Sequence, residues 1–255
     1  MENQANGLGK VNKKLTSVEK ATSTILNNIP VLSSHEEIVL NSLGKTLAKP
    51  VTALLSNPPS NVSSMDGYAL KNSDIDNGVL EFTVIDESVA GKSSSKTVAT
   101  MQTVRIFTGA KIPHGADRII LQEDVKRLGN NLIKINKNKL ENNNFFIRKT
   151  GMDFKLGEKL IDKGEVLNTR NISLCVASGN SWVTIRRKPK IGIISTGNEL
   201  LKFGEIQNSK NNDKIISSNG IFLFNFINQL GGEAFILPTA KDDIKSLTNI
   251  LDEAN

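Results

Sequence analysis

A carboxylate beside a glycine, flanked by serines and by the only tyrosine of the chain, is the first pattern that could do chemistry. It lies in residues 63–69, which read Ser-Ser-Met-Asp-Gly-Tyr-Ala and follow two prolines. Asp-Gly pairs are typical of turns, because glycine tolerates positive φ and aspartate accepts hydrogen bonds from nearby backbone N–H groups. Asp66 is therefore either a turn residue before a strand or a functional carboxylate, and these residues alone favour the turn.

A second polar group follows an apolar run near the other end of the chain. Residues 191–194 are Ile-Gly-Ile-Ile, and Ser195, Thr196, Gly197 and Glu199 come next. Ligands of open α/β sheets bind beyond the carboxyl ends of the strands, where hydroxyl and backbone N–H groups can approach an anion. The pattern predicts an anion-binding edge with Glu199 beside it, and capping of the next loop or helix is the alternative.

The elements that precede the Asp66 motif are predicted to be two short helices. Thr16 and Glu19 have the spacing of a capping box, with Thr16 as the N-cap. A second helix is expected from about Ser33, with Gly44 just past its end. Residues 1–15 are polar and are predicted to be a flexible tail.

Alternation of apolar and polar residues predicts β strands from residue 68 to about residue 136. Residues 80–84 and 132–135 alternate in this way, and glycine, asparagine and aspartate lie between the runs. Short strands of this kind predict a small antiparallel barrel or sandwich. Polar residues 137–144 are interpreted as a connection, and a helix at residues 169–178, ended by Gly179, follows later.

The C-terminal region has the pattern of a βαβα unit. A strand buried on both faces is predicted at residues 191–195, a helix at 221–230, a second strand at 234–237 and a helix from Asp242 to Leu251. The connection of residues 196–217 is long enough to suggest function. Two strands make only part of a doubly wound sheet and leave an apolar edge, so we expect this domain to be incomplete.

Net charge gives little support for a nucleic-acid partner. The chain carries a formal charge of +6, but aromatic residues make up only 5% and lysine is scattered among asparagines. Residues 186–190 are the one compact basic run. Without interleaved basic and aromatic residues, no stacking platform for single strands is expected.

The cysteine and histidine content argues against a disulfide or zinc protein. Cys175 is the only cysteine and lies in an apolar run, which favours core packing. His35 and His114 are far apart and lack metal-ligand spacing. No apolar run approaches the ~20 residues that span a bilayer, and the polar N-terminus does not look like a signal peptide. We expect a cytoplasmic protein with no membrane partner.

Four stretches, in order, resemble the molybdopterin molybdenumtransferases, the MoeA-type molybdenum insertases. They are residues 64–69 (Ser-Met-Asp-Gly-Tyr-Ala), 105–110 (Arg-Ile-Phe-Thr-Gly-Ala) with Pro113 and 115–117, Arg148 with 151–153 and Gly157, and 195–200 (Ser-Thr-Gly-Asn-Glu-Leu). Each motif alone is weak, but their order and spacing cover nearly the whole chain.

The resemblance implies a multidomain fold of α+β and α/β type. A helical and linker domain would comprise residues 16–66 and 145–188, and a small β domain, residues 67–144, would be inserted in it. Residues 189–255 would then form an incomplete doubly wound α/β domain that binds molybdopterin. Relative to the family, the sequence does not contain the later molybdopterin-phosphate segment or the last domain.

The activity implied by the resemblance is insertion of molybdate into adenylylated molybdopterin, with Mg²⁺-dependent release of AMP. Asp66, Thr108 and Glu199 match catalytic positions of the family. Substrate-binding residues would be Asp153, Ser195, Thr196, Gly197 and Arg148, and the metal ligands would be Asp66, Glu199 and Asp242. Turn or capping roles are the alternatives for Thr108, Asp153 and Asp242, and surface ion pairing for Arg148.

The partners implied are a second copy of the chain and a molybdopterin adenylyltransferase-type protein. In the family the site forms between two subunits, so Asp66 of one subunit is expected to face Glu199 of the other. The competing hypothesis is a non-catalytic scaffold fragment of the same family that keeps the dimerising domains.

Overall fold

The computed structural model describes residues 16–140, 145–201, 204 and 213–254. Its α-helices are α1 (Val18–Asn28), α2 (Asn72–Asp76), α3 (Thr169–Ala177), α4 (Asn219–Gln229) and α5 (Ile244–Ala254). Its strands are β1 (Ser34–Ile38), β2 (Val51–Thr52), β3 (Val62–Ser63), β4 (Gly67–Leu70), β5 (Glu81–Ser88), β6 (Gln102–Ile106), β7 (Arg118–Leu121), β8 (Val125–Arg127), β9 (Leu132–Ile135), β10 (Ile147–Arg148), β11 (Lys159–Ile161), β12 (Trp182–Arg186), β13 (Lys190–Ile193), β14 (Leu200–Leu201), β15 (Ile215–Ile216) and β16 (Glu233–Ile236).

The chain divides into two compact units. One unit is Ser34–Arg186, and the other contains the described residues before and after it. In the described residues, no helix is both long and apolar enough to cross a membrane.

A six-stranded sheet forms the β part of the first unit, with strand order β7-β4-β6-β5-β9-β8. All its pairs are antiparallel except β5–β6, which is parallel. The predicted all-antiparallel arrangement is therefore wrong at one pair. A parallel pair needs a crossover of about a dozen residues or more, and residues 89–101 between β5 and β6 supply it.

The two faces of this sheet bury different side chains, as the two-residue period of a strand requires. Tyr68 and Leu70 pack on one face with Phe82, Ile133 and Ile135. Ala69 packs on the other face, where its cluster also contains Ile106, Ala110 and Ile119.

Three short antiparallel ladders join the chain before this sheet to the chain after it. They are β1–β12, β2–β11 and β3–β10. Their shared core contains Val39, Leu47, Val51, Ile161, Leu167, Cys175, Val183 and Ile185. Burial raises the pKa of the Cys175 thiol, which fits the packing role expected from its apolar surroundings.

The helix predicted from Ser33 to Gly44 is wrong. Residues 34–38 form β1, which pairs with β12 over five residues, and a short 3-10 turn follows. The Ser-Ser and Glu-Glu pattern imitates a helix start, but the long-range ladder supplies the backbone partners and outweighs it. Gly44 does adopt positive φ, at 73°.

The first helix forms as predicted but begins one residue later. Lys20 donates its backbone N–H to Ser17 Oγ at 3.3 Å, so Ser17 rather than Thr16 is the N-cap. The predicted helix before Gly179 is confirmed as α3, and Gly179 has φ 88°. Residues 1–15 and 141–144, predicted as a tail and part of a connection, lie outside the described residues.

The C-terminal region confirms the parallel β-α-β arrangement. β13 and β16 pair in parallel, with Ile191 opposite Ala234, and α4 lies between them in the chain. The predicted two-sided burial of the first strand is wrong, because only Ile193 of β13 is buried. Within the described residues, β13 pairs only with β16. A two-stranded sheet has few neighbouring elements that could bury both faces of β13. The connection of residues 196–217 contains β14 and β15, and residues 202–203 and 205–212 lie outside the description.

Candidate functional site

Asp66 and Thr108, which are 42 positions apart, are joined by two hydrogen bonds. Thr108 donates its backbone N–H to Asp66 Oδ1 at 2.7 Å and its hydroxyl to the same oxygen at 2.8 Å. The pairing of β4 with β6, with Gly67 opposite Ile106, brings the two together. Because its proton points to Asp66, the Thr108 hydroxyl is an acceptor toward any ligand in this arrangement.

The contacts of Asp66 favour its ionised form. The backbone N–H and then the hydroxyl of Thr108 lower the pKa of the Asp66 carboxyl, with a smaller attraction from Arg105, against a modest desolvation. The second carboxylate oxygen, Oδ2, accepts no hydrogen bond from another described residue. Asp66 therefore presents a charged oxygen that could meet a cation or a donor.

Thr108→Val is expected to raise the pKa of Asp66 while leaving it below the ordinary value, because the backbone N–H bond remains. An NMR titration of the Asp66 carboxyl carbon measures this change, with Thr83→Val as the control. A depressed pKa stabilises the fold above the ordinary carboxyl value, and this contribution is lost as pH falls through the folded-state value. Thr108→Val should therefore reduce the acid dependence of stability below about pH 4. An unchanged Asp66 titration would contradict the role of the hydroxyl.

Gly67 is required by close approach of a neighbouring strand, not by a turn. It lies in β4 and is absent from the described glycines with positive φ. A Cβ at this position would lie 2.1 Å from the carbonyl oxygen of Ile120. The expected turn before a strand is present as a bend at residues 64–66 that leads into β4, but Gly67 does not have the positive φ expected of a turn glycine.

Arg148 and Asp153 meet each other. Arg148 donates from one terminal nitrogen to both Asp153 oxygens, at 2.8 and 2.9 Å, and both side chains are a little over 40% exposed. Asn57 Nδ2 also donates to Asp153 at 3.2 Å. In this arrangement the pair braces the turn at Gly151, and its substrate role stays a prediction.

The second predicted cluster lines a cavity of about 470 Å³. Its lining includes Ser195, Thr196 and Glu199, together with Ser217 just before α4 and Gly220 in its first turn. The Ser217 hydroxyl donates to Ser195 Oγ at 3.3 Å. Ser217 was not predicted, although the Ser-Ser-Asn run before an apolar helix is a capping signal that could have indicated it.

Gly197 makes room for the carboxylate of Glu199. Gly197 has φ 149°, and a Cβ there would lie 2.7 Å from both Glu199 oxygens. Its backbone N–H donates to the Ala240 carbonyl at 3.2 Å, which ties the turn to the segment between β16 and α5. A larger residue at position 197 would displace the Glu199 carboxylate.

Asp242 and Asp243 have different surroundings. Asp242 accepts the backbone N–H of Asn198 at 3.2 Å, so it lies beside the loop of Glu199. Asp243 accepts the Ser246 N–H at 2.7 Å and caps α5. The capping role given as the alternative for Asp242 therefore belongs to its neighbour, Asp243.

A resident metal would find oxygen ligands but no preformed cage. Within the described residues, no three histidine, cysteine or acidic side chains are grouped to hold an ion. Asp66 belongs to the unit Ser34–Arg186, whereas Glu199 and Asp242 belong to the other unit. Mg²⁺ usually binds one or two carboxylates together with substrate phosphate and water, and Glu199 and Asp242 could supply such a pair within their own unit.

The family model described as "MoeA N-terminal region (domain I and II)" matches residues 16–179. A molybdopterin molybdenumtransferase of Staphylococcus aureus (strain N315) is 31% identical over 241 residues, covering 93% of this chain and 56% of the relative. The relative of the same name from Nostoc sp. is 29% identical over 248 residues, with coverage of 94% and 56%.

The crystal structure of the molybdopterin biosynthesis MoeA protein from Pyrococcus horikoshii is similar to this chain, with a TM-score of 0.84 at 31% identity. The match covers 94% of this chain and 61% of that structure. The chain thus spans about half the length of the curated relatives it matches.

Proposed function

The chain belongs to the MoeA family of molybdenum-cofactor biosynthesis proteins, and on that premise we propose that it takes part in inserting molybdate into adenylylated molybdopterin. The reaction ligates molybdate to the dithiolene of the pterin and releases AMP in a Mg²⁺-dependent step. The observation that carries this proposal is the Asp66 carboxylate, held in its charged form by both donors of Thr108.

Asp66, Glu199 and Asp242 are the proposed Mg²⁺ ligands, with water and substrate phosphate completing the shell. When bound, the ion neutralises charge on the phosphate that leaves. Asp66 contributes its Oδ2, because Oδ1 is occupied by Thr108.

Anion contacts are proposed for the cavity beside β13. The hydroxyl groups of Ser195, Thr196 and Ser217 offer donors to molybdate or to the pterin phosphate. Gly197 contributes by leaving room for the Glu199 carboxylate, since its own N–H is bonded to Ala240. Arg148 and Asp153 are proposed to bind substrate only if their ion pair opens. The half-exposed pair gains little from screened attraction, typically under about 1 kcal/mol, so opening it costs little.

A homodimer is proposed to complete the site. Asp66 and Glu199 lie in different units of the chain, and the proposed arrangement places Asp66 of one subunit opposite Glu199 of its partner. A molybdopterin adenylyltransferase-type protein is the proposed source of the substrate, and the cytoplasm the proposed location.

AMP release is the direct test of the proposed activity. The chain is incubated with Mg²⁺, molybdate and adenylylated molybdopterin, and AMP is followed by chromatography. We expect AMP only when both molybdate and Mg²⁺ are present. Asp162→Asn, which removes an exposed carboxylate that is not among the proposed site residues, should not change the rate. If no AMP forms and adenylylated molybdopterin does not bind in equilibrium dialysis, the proposal is overturned.

A further inference from the structure

A second polar cavity lies on the six-stranded sheet, within the unit Ser34–Arg186. Its volume is about 390 Å³, and its lining includes Tyr68, Glu87, Arg105, Arg127, Asn131 and Ile133. It begins where the apolar cluster of Tyr68, Phe82 and Ile133 ends. Small-molecule sites typically occupy about 300–1,000 Å³, so this space suits an organic ligand of moderate size.

Arg127 is held in place with donors to spare. Its Nε–H donates to the hydroxyl of Tyr68 at 3.2 Å, and Tyr68 is only 2% exposed. This bond orients the planar guanidinium, and no other described residue accepts from its terminal nitrogens. A guanidinium fixed at one edge is well suited to bind phosphate through its free edge.

Arg105 lines the same cavity and is directed by two contacts. Its guanidinium lies 4.9 Å from the ring centre of Phe107, and its Nε lies 3.9 Å from a carboxylate oxygen of Glu87. The second distance is too long for a hydrogen bond, so Arg105 keeps donors for a ligand. Arg105 is paired with Tyr68 across β4 and β6, so both side chains lie on the same face of the sheet. Tyr68 is also the residue that accepts the hydrogen bond from Arg127.

Two acidic residues, Asp86 and Glu87, also line the cavity, and they favour an organic phosphate with hydroxyl groups over a bare oxyanion. Asp86 accepts the Ser94 hydroxyl at 2.6 Å, but the Glu87 carboxylate is half exposed. Glu87 meets Arg105 only at 3.9 Å, so its carboxylate can still accept hydrogen bonds from sugar hydroxyl groups, whereas it repels a small anion. The lining also includes Asn131, Leu132 and Ile133, which add a carboxamide and apolar surface to the charged groups.

We propose that this cavity binds a nucleoside monophosphate, with its phosphate on Arg127 and Arg105 and its sugar hydroxyls toward Glu87. AMP is the nucleotide of choice because the proposed function releases it, and in that respect the inference rests on the proposed function. Arg105 also acts electrostatically on Asp66, so the cavity and the Asp66–Thr108 pair share a residue.

Isothermal titration of the full chain with AMP tests the proposal. Arg127→Gln should weaken AMP binding by about tenfold or more, since it removes a charge-assisted contact. Lys126→Gln is the matched control: it removes the same charge from the adjacent residue of β8, whose side chain points to the opposite face, and AMP affinity should not change. Arg127→Lys should bind with intermediate affinity, and it replaces Arg127→Gln as the test if the latter unfolds.

The ligand class and the location are checked separately. Adenosine should bind at least about tenfold more weakly than AMP, and AMP should shift the backbone amide signals of Asn130 and Asn131. Equal binding of adenosine, or AMP binding that neither Arg127 variant changes, overturns the assignment. AMP binding at the cavity, with neither AMP release nor binding of adenylylated molybdopterin, would retain the cavity and overturn the proposed function. Normal turnover with no AMP binding would retain the proposed function and overturn the assignment of the cavity.

Discussion

Asp66→Asn is expected to lower the rate of molybdate-dependent AMP release by about 100-fold, the usual loss when one preorganised electrostatic group is removed. Asparagine can still accept both hydrogen bonds from Thr108 through its carbonyl oxygen. The fold should therefore survive, and only the negative charge proposed to bind Mg²⁺ is lost. Initial rates at saturating Mg²⁺ measure the effect, with Asp162→Asn as the control. A rate within about twofold of the unmodified chain would remove Asp66 from the proposed site.

The same variant can show whether two subunits share the site. Glu199→Gln alone should be as inactive as Asp66→Asn. When the two variants are refolded together in equal amounts, half the dimers are mixed, and each mixed dimer has one site with both native carboxylates. The mixture should recover about a quarter of native activity. Activity that stays at the level of the separate variants would place Asp66 and Glu199 in one subunit's site or in none.

Gly67→Ala is expected to destabilise the unit Ser34–Arg186 by at least about 3 kcal/mol. The added Cβ would lie 2.1 Å from the carbonyl oxygen of Ile120. Because that atom is backbone, a rotamer change cannot relieve the contact, and strand β7 must move away from β4. Loss of that pairing also displaces Asp66, which precedes Gly67.

Urea unfolding measures this change, and Gly129→Ala is its control. Gly129 lies in the loop between β8 and β9 of the same sheet, and a Cβ there would meet nothing within 4 Å. Its free energy of unfolding should stay within about 0.5 kcal/mol of the original chain. A Gly67→Ala chain as stable as the Gly129→Ala chain would contradict the close approach of β7.

The spacing of apolar residues along the chain correctly predicted those helices and strands that local sequence alone specifies. The β-α-β order of the C-terminal region and the helix ended by Gly179 formed as expected. Periodicity failed for residues 34–38, where a local cap pattern competed with a distant partner strand, β12. It also failed for β13, because burial on two faces depends on how many neighbours cover a strand, and one residue run cannot show this.

The amino-acid sequence by itself determined which chemical groups are available: the carboxylates of Asp66 and Glu199, the hydroxyl of Thr108 and the motifs that mark the MoeA family. Only the tertiary structure decided that Thr108 donates twice to Asp66. Only the tertiary structure likewise showed why residue 67 must be glycine: the backbone of Ile120 lies too close for a Cβ. The physical reason is common to both. Residue types and local spacing are properties of neighbours in the chain, whereas a hydrogen bond across strands or a backbone contact depends on pairing between residues about 40 to 50 positions apart, which long-range packing selects.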